Sequence, residues 1–319
     1  GRQGIWQISP HPLSDQLCAV KDTDLHIIRL GEAPTLPNAT QKPPLTLSGV
    51  VSSNTQTSST YLHSRDKQLF LRTESGASDK TPKESPLKDF SNDPARRTFL
   101  HSNAEGSELT VIQETAQRPK TLIVRYKMKD GLAVEDKRSI CDMPGWWPKA
   151  LIPSADGKHL WTGQSLLDLE SHQIESVIQS EKLRYEGDSP ERIASLAAWT
   201  SPSQIVQIMS VFDPDEDDDD GWHDVIACIE LPSGKIVKLE HASSASSLSA
   251  SPDGKWVAES GTDRRVRIRH SDSLAVEREF LAHESRVRRV IWHPSKPVLI
   301  TQGDDRRVKI IHADTGKVL

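Results

Sequence analysis

Three residues near the end of the chain, His283, Thr301 and Asp305, are of the types that form a nucleophilic catalytic triad. In a catalytic interpretation Thr301 is the nucleophile, His283 takes its proton and Asp305 orients the imidazole. A structural interpretation is also open, because a buried carboxylate needs hydrogen-bond donors around it. The secondary structure around these residues distinguishes the catalytic interpretation from the structural one.

A second candidate site is the acidic run DPDEDDDDGWHD at 213–224. A calcium-binding EF-hand loop that began at Glu216 would have Asp218, Asp220 and Gly221 in suitable positions. Its last ligand position would be Ala227, which cannot chelate a cation. The run is therefore better explained as a solvated acidic insert. Weak cation binding and docking to a basic partner are the alternatives, with Trp222 as a candidate anchor.

The third candidate is basic and follows the acidic run. The stretches RRVRIR, RVRR and RR begin at Arg264, Arg286 and Arg306. Nucleic-acid binding requires a continuous basic face with interleaved aromatic rings. The two nearby tryptophans, Trp256 and Trp292, lie in patterns typical of strands. The sequence therefore keeps nucleic-acid or phospho-ligand binding as an alternative without favouring it.

Several functional classes gain no support from composition and motifs. The net charge of −5 gives no overall attraction to nucleic acid, and no apolar run approaches the roughly 18 residues of a membrane span. The three cysteines are far apart, which argues against disulfides and a thiolate zinc site. No GxSxG, P-loop, HExxH or GxGxxG motif occurs, so we expect a non-enzyme with no cofactor and no metal. No signal peptide is visible, which favours the cytoplasm, and the opening Gly1 suggests excision from a longer protein.

The arginine stretches belong to a repeat of 42 residues. His241, Pro252, Gly261, Asp263 and His270 recur at 283, 294, 303, 305 and 312. In the last copy VRRVIW, VLIT and VKII have the pattern of strands separated by turns, and a fourth short strand is predicted from Lys317. Four short strands make one small antiparallel sheet, which needs neighbours to be stable. The period is typical of solenoids and propellers.

Blurred copies of the unit can be followed through the rest of the chain, at 9–30, 60–72, 96–113 and 150–171. The segments 197–212 and 224–239 are two halves of another copy, split by the acidic insert. Asp22 and Asp66 fall at the turn position of Asp263 and Asp305. With the two tail units these copies predict seven sheets in a single domain, with approximate bounds 1–40, 41–88, 89–135, 136–185, 186–238, 239–281 and 282–319.

Over 239–319 the repeat resembles the WD40-repeat family. That family has Gly-His near the start of each repeat, then an Asp, then Trp-Asp at the end of the third strand. His241 and Asp263 are 22 residues apart, as are His283 and Asp305. Arg269-His270 and Ile311-His312 stand where the family has Trp-Asp. The resemblance implies an all-β fold, a seven-bladed β-propeller of four-stranded antiparallel blades.

The resemblance favours the structural interpretation of the histidines. It implies hydrogen bonds that fix the turn before the third strand, in a network made of His241, Asp263, His283, Thr301 and Asp305. Glu259 occupies the hydroxyl position in the first of these two units.

The resemblance also implies a function: a non-catalytic scaffold that binds a protein partner through the face carrying the Asp turns. Residues just before the turn Asp often line that face in such repeats. The candidate partner-binding residues are Lys21, Arg65, Trp222, Thr262, Arg264, Asp304 and Arg306. The alternatives are a metal-dependent hydrolase or lyase with its site in the central channel, and a binder of nucleic acid or phospho-ligands through the arginines.

Overall fold

The structure is a computed structural model that describes residues 5–10, 16–21, 24–29, 50–51, 58–65, 68–75, 81, 83–91, 98–102, 107–115, 120–142, 152–154, 156, 158–171, 173–178, 192–212, 222–242, 245–293 and 295–319. The chain divides into two compact units, Gly1–Trp147 and Pro148–Leu319. Within the described residues every regular element is a strand, and all strand pairs are antiparallel, which confirms the predicted all-β fold.

The N-terminal unit holds three sheets in the described ranges. The first has β1 (Ile5–Pro10), β2 (Gln16–Lys21) and β3 (Asp24–Arg29). The second has β4 (Val50–Val51), β5 (Ser58–Arg65), β6 (Gln68–Ser75) and β7 (Lys83–Pro86). The third has β8 (Thr98–Ser102), β9 (Glu108–Glu114), β10 (Lys120–Lys129) and β11 (Leu132–Asp142). Sequential strands are neighbours in each sheet.

The C-terminal unit repeats this up-and-down order. Its first sheet has β12 (Ile152–Pro153), β13 (His159–Trp161), β14 (Ser165–Asp168) and β15 (Ile174–Val177). Its second has β16 (Arg192–Ser201), β17 (Gln204–Phe212), β18 (Trp222–Glu230) and β19 (Lys235–His241). Its third has β20 (Ala245–Ala250), β21 (Trp256–Gly261), β22 (Arg265–His270) and β23 (Val276–Leu281). The last has β24 (Val287–Trp292), β25 (Val298–Gly303) and β26 (Val308–His312).

The sheets differ in detail from the expected bounds. Strand β11 runs to Asp142, beyond the expected bound at 135, and β19 runs to His241, beyond 238. The fourth strand expected from Lys317 is represented by a single bridge between Ile311 and Val318. The copy of the unit at 96–113 supplies the first two strands of its sheet, Thr98–Ser102 and Glu108–Glu114.

The same short motif makes the first hairpin turn in two sheets of the C-terminal unit. In SPDGKW the Ser251 hydroxyl donates to Asp253 Oδ1 at 2.6 Å, and the Lys255 amide donates to the same oxygen at 3.2 Å. In SADGKH the Ser154 hydroxyl donates to Asp156 Oδ1 at 2.5 Å. Gly254 has a φ of 71°, in the left-handed region that glycine enters without strain. Local side-chain bonds of this kind explain why Ser, Asp and Gly mark the turns.

Neighbouring sheets share their apolar cores. Ala258, Val266 and Ile268 of the β20–β23 sheet pack with Val290, Leu299 and Ile311 of the β24–β26 sheet. Val206, Ile226 and Cys228 pack in turn with Val257 and Leu274. In the N-terminal unit Leu62, Leu69 and Leu71 pack with Leu109, Val111 and Leu122. Each fully buried aliphatic side chain contributes about 1.5–3 kcal/mol, so every sheet in these clusters depends on its neighbour.

Polar contacts supplement the shared cores. The Ser247 hydroxyl donates to Val290 O and accepts from Val290 N, both at 3.3 Å, while the Trp292 amide donates to Ser249 Oγ at 2.9 Å. Between the β12–β15 and β16–β19 sheets, buried Gln207 accepts from Trp161 Nε1 at 2.6 Å and donates to Gly163 O at 2.9 Å. These bonds fix how the strands of one sheet are aligned along the strands of the next.

Candidate functional site

The turns between the second and third strands of the last two units meet in one continuous surface. Arg264 O accepts from His283 N at 3.3 Å, which joins the β21–β22 turn to the loop before β24. The Asp304 amide donates to Arg286 O at 2.9 Å, which joins that loop to the β25–β26 turn. We call this surface, made of residues 262–264, 284–286 and 304–307 together with Ser246, the Asp-turn face.

A buried hydrogen-bond network lies directly beneath the Asp-turn face. His283 Nδ1 lies 2.9 Å from Asp305 Oδ2, and His283 Nε2 lies 2.9 Å from Thr301 Oγ1. Because an ionised carboxylate can only accept, Nδ1 carries the proton that points at Asp305. The amides of Glu284 and Arg307 donate to the same carboxylate at 3.3 and 3.1 Å. The network therefore holds the loop and the turn together.

Asp305 is stabilised as a carboxylate. Burial raises the pKa of Asp305, but the hydrogen bond from His283 and those from the Arg307 and Glu284 amides outweigh it, so the pKa lies below its usual value. Gly303 is essential to this arrangement, since a Cβ there would lie 2.5 Å from His283 Nδ1 and 2.6 Å from Asp305 Oδ1.

The side chains of His283, Thr301 and Asp305 are almost closed to solvent. Thr301 is fully buried and His283 is 2% exposed, so the hydroxyl does not face solvent where a substrate could reach it. Thr301 Oγ1 donates to His283 Nε2 and also lies 3.5 Å from Lys309 O. The arrangement joins the loop before β24 to strand β25 and to the β25–β26 turn.

The preceding unit does not repeat the network, which corrects the prediction for His241. His241 is exposed, and its carbonyl oxygen accepts from Arg269 at 3.1 Å. Asp263 bonds instead to Arg267 and to the Arg265 amide, at 3.2 Å for the latter. The reason is Glu259, a buried carboxylate where the next unit has Thr301, which pairs with buried Arg269 at 2.7 Å.

Two exposed arginines occupy equivalent positions on the Asp-turn face. Arg264 and Arg306 have φ values of 72° and 64°, in the left-handed region where Gly and Asn are usual. In each turn the preceding Asp accepts from the amide that follows the arginine. Both units therefore place a long cationic side chain at a position where the backbone would favour glycine.

The Asp-turn face has four arginines and four carboxylates, but among the described residues only some of the arginines form ion pairs. Arg288 pairs with Asp304, and Arg307 pairs with Glu284 at 2.9 Å. Arg286 Nε donates to the Ser246 hydroxyl at 3.0 Å. Among the described residues, Arg264 and Arg306 have no ion-pair partner.

Arg289 lies in strand β24, three residues after Arg286, and adds a further cation. It is half-buried, burial lowers its pKa, and no acidic partner faces it among the described residues. With Arg288 and Arg289 beside it, the face has six guanidinium groups near its four carboxylates.

Of the other predicted partner-binding residues, the structure describes the side chains of only two. Thr262 and Asp304 are exposed on the Asp-turn face. Lys21 and Arg65 end strands β2 and β5, and Trp222 begins β18. Their side chains, together with Asp22, Asp66 and the acidic run at 213–220, lie outside the described residues. By chain order the acidic run connects the second and third strands of its sheet, as the Arg264 and Arg306 turns do.

A cluster that the sequence analysis missed lies in the β12–β15 sheet. Its members are His159, Asp168 and Glu175, whose potential ligand atoms lie within 4.8 Å of one another. The signal was available in part, because His159 and Asp168 are equally distant from the turn at Gly163-Gln164 and therefore face each other. Glu175 could not be placed, because a β-bulge alters the register of the next strand.

Comparisons with known proteins agree with the repeat and the architecture. A family model described as WD domain, G-beta repeat, matches residues 234–269 and 275–312. The crystal structure of Saccharomyces cerevisiae Sqt1 is similar, with a TM-score of 0.61 and 11% identity, over 99% of this chain and 84% of that one. The Myceliophteria thermophila Cps50 (Swd1) β-propeller domain gives a TM-score of 0.57 and 13% identity, over 96% of this chain and 95% of that one. No curated protein matches the sequence.

The described part of the chain has no helix that is long and apolar enough to cross a membrane.

Proposed function

We propose that this chain, whose fold is similar to that of WD40 β-propellers and whose residues 234–269 and 275–312 match the WD-domain repeat, is a non-catalytic scaffold that binds a protein partner through the Asp-turn face. The observation that carries the proposal is the exposure of Arg264 and Arg306 on adjacent turns, where neither arginine has an ion-pair partner among the described residues. Surface arginines with no internal partner are available for bidentate bonds to carboxylates. We infer that the partner contributes an acidic segment.

The backbone conformation of the two arginines supports this proposal. A non-glycine residue in the left-handed region costs about 1–2 kcal/mol, and the cost is incurred twice on one surface. Arginine offers no steric advantage there, so its side chain is the feature that compensates. Such local strain is typical of positions with a functional role.

The support beneath the face favours recognition without rearrangement. The His283–Asp305 pair and the Asp304–Arg286 bond hold the two adjoining segments in fixed positions. Complex formation costs less free energy when the surface is already ordered than when flexible loops must become ordered on binding. The short turns and the buried network therefore suit a docking platform.

Binding of nucleic acid or phospho-ligands is the second candidate, because the same guanidinium groups bind phosphate. The aromatic residues do not support it. Trp292 is buried, and half-buried Trp256 packs against the His270 ring at 4.3 Å with the Arg278 guanidinium 5.6 Å from its centre. Neither ring is available on the described part of the face to stack with bases.

The proposal is tested with the triple variant R264E/R286E/R306E. Its control is K235E/K255E/K317E, which makes the same change in charge at exposed lysines on turns at the opposite end of the sheets. Partners are captured from the source organism by cross-linking and identified by mass spectrometry. We expect a protein that is captured by the wild type and the control and is lost with the triple variant.

A direct assay separates the two kinds of ligand. A labelled poly-glutamate peptide and a single-stranded DNA of equal charge are titrated at low and moderate salt. We expect the peptide to bind more tightly than the DNA, and the triple variant to lose at least about tenfold in affinity. Tighter binding of DNA would favour the second candidate. Capture of the same partners by all three proteins would refute the role of the face.

A further inference from the structure

His159, Asp168 and Glu175 form a compact cluster of nitrogen and oxygen donors on three adjacent strands. His159 Nε2 lies 3.4 Å from Glu175 Oε2 and 4.0 Å from Asp168 Oδ2. His159 and Asp168 are half-buried and Glu175 is exposed, so the cluster is open to solvent on one side. It lies outside the Asp-turn face and has no part in the proposed function.

The strands hold two of the three donors in fixed positions. His159 and Asp168 are directly opposite each other in the β13–β14 pair. The His159 amide donates to Ser154 Oγ at 3.0 Å, which fixes the start of its strand. Asp168 Oδ1 accepts from the amides of Glu170 and Ser171, at 3.0 Å for Glu170. Those bonds orient the carboxylate and leave Oδ2 directed at the imidazole.

The charges of the cluster do not balance among the described residues. In the described residues the only ion-pair partner of Asp168 or Glu175 is His159. A neutral imidazole presents one N–H, so it can donate from Nε2 to only one of the two carboxylates. A divalent cation would accept all three donors and cancel both negative charges.

The donor set and its spacing indicate the class of cation. Zinc binds histidine nitrogen at about 2.0–2.1 Å and carboxylate oxygen at about 2.0–2.2 Å, so donors at tetrahedral angles lie roughly 3.3–3.5 Å apart. The His159–Glu175 separation of 3.4 Å matches this spacing, and the 4.0 Å to Asp168 needs a small side-chain rotation. Imidazole suits zinc and its neighbours, whereas calcium and magnesium prefer oxygen donors alone.

We propose that His159, Asp168 and Glu175 bind one divalent transition-metal ion of the zinc class. Three protein ligands leave a fourth tetrahedral position, which water or a donor from another molecule fills. This site differs from the sequence-based expectation that the protein binds no metal.

The test uses untagged, chelator-treated full chain titrated with Zn²⁺ by calorimetry, and with Co²⁺ by absorption spectroscopy. The variants are E175Q and H159Q, and the matched control is E170Q, at an exposed carboxylate in the adjoining turn. We expect one saturable Zn²⁺ site that weakens at least about tenfold in both variants and is unchanged in E170Q. The Co²⁺ spectrum should report tetrahedral nitrogen and oxygen ligation without thiolate charge transfer.

Three results would overturn the proposal: no saturable Zn²⁺ binding by folded wild type, equal affinity in E175Q and E170Q, or competition by Mg²⁺ at concentrations similar to those of Zn²⁺. Circular dichroism of each variant confirms that it is folded, and E175Q alters only an exposed side chain. A loss of affinity in E175Q therefore reports on ligation rather than on folding.

Discussion

Arg269 Nε lies 2.7 Å from Glu259 Oε2, and both side chains are buried. In the next unit Thr301 occupies the position of Glu259, and Ile311 occupies the position of Arg269. The pair has additional support, since Arg269 also donates to Leu274 O at 2.9 Å. Two neighbouring repeats thus differ in chemistry at this position: a buried ion pair joins β21 to β22 in one, and a hydroxyl–imidazole–carboxylate network joins β25 to the preceding loop and to the β25–β26 turn in the other.

Breaking the ion pair from one side should be more damaging than removing both charges. We expect E259M and R269M each to lower the free energy of unfolding by about 3–5 kcal/mol, because each leaves a buried charge without its partner. The double variant E259M/R269M should lose much less than the sum. Urea unfolding of the three variants measures the coupling, and strictly additive losses would contradict a paired role.

Asp305 should make stability depend on pH in a specific direction. Its folded-state pKa is lowered below that of the unfolded chain, near 3.9. Its contribution is therefore complete above that pH and is lost as the pH falls through the folded-state pKa. We expect D305N to cost about 1–3 kcal/mol near neutral pH and progressively less in acid.

Denaturant unfolding at a series of pH values follows this change. The control is D314N, which changes an exposed aspartate on the turn after β26. The stability of this variant should follow that of the wild type at every pH. A difference between D305N and the wild type that stays constant into strong acid would argue against an ionised Asp305 in the folded state.

The left-handed turn arginines should trade stability for binding. We expect R264G and R306G each to raise the free energy of unfolding by about 1 kcal/mol, because glycine adopts that conformation without strain. The control is R307G, an adjacent exposed arginine without a positive φ, which should lower stability by about 0.5–1 kcal/mol. Thermal unfolding gives the sign of each change, and a loss in R264G equal to that in R307G would remove the argument from strain.

Cys228 should be inert in the folded protein. It is fully buried, burial raises the pKa of its thiol, and Gln204 Nε2 donates to Sγ at 3.0 Å. We expect iodoacetamide at mildly alkaline pH to leave Cys228 unmodified in the native protein and to modify it after unfolding in urea. Peptide mass spectrometry distinguishes the cysteines, and equal labelling in both states would show that this part of the core opens readily.

The strands of the tail were predictable because turns and strands there have distinct local signals. Ser251, Asp253 and Gly254 form the hairpin turn that their types indicate. The contacts across the sheet were predictable only in part, because Glu259 and Thr301 occupy the same position and differ in charge. Whether His241 or Arg269 would contact that position depends on which side chain can satisfy a buried carboxylate. The cluster at His159 required knowledge of a β-bulge, which the spacing of residues does not reveal.

The hydroxyl bonds from Ser247 and Ser249 to the main chain of β24 have a consequence for how the repeats can diverge. Apolar contacts have no direction, so they alone would tolerate the sliding of one strand along another. A slide by a single residue would break the bond between Ser249 and the Trp292 amide. Because alignment is thus secured by bonds to peptide groups, which every amino acid possesses, the facing strand is free to vary its side chains over evolution without losing its place.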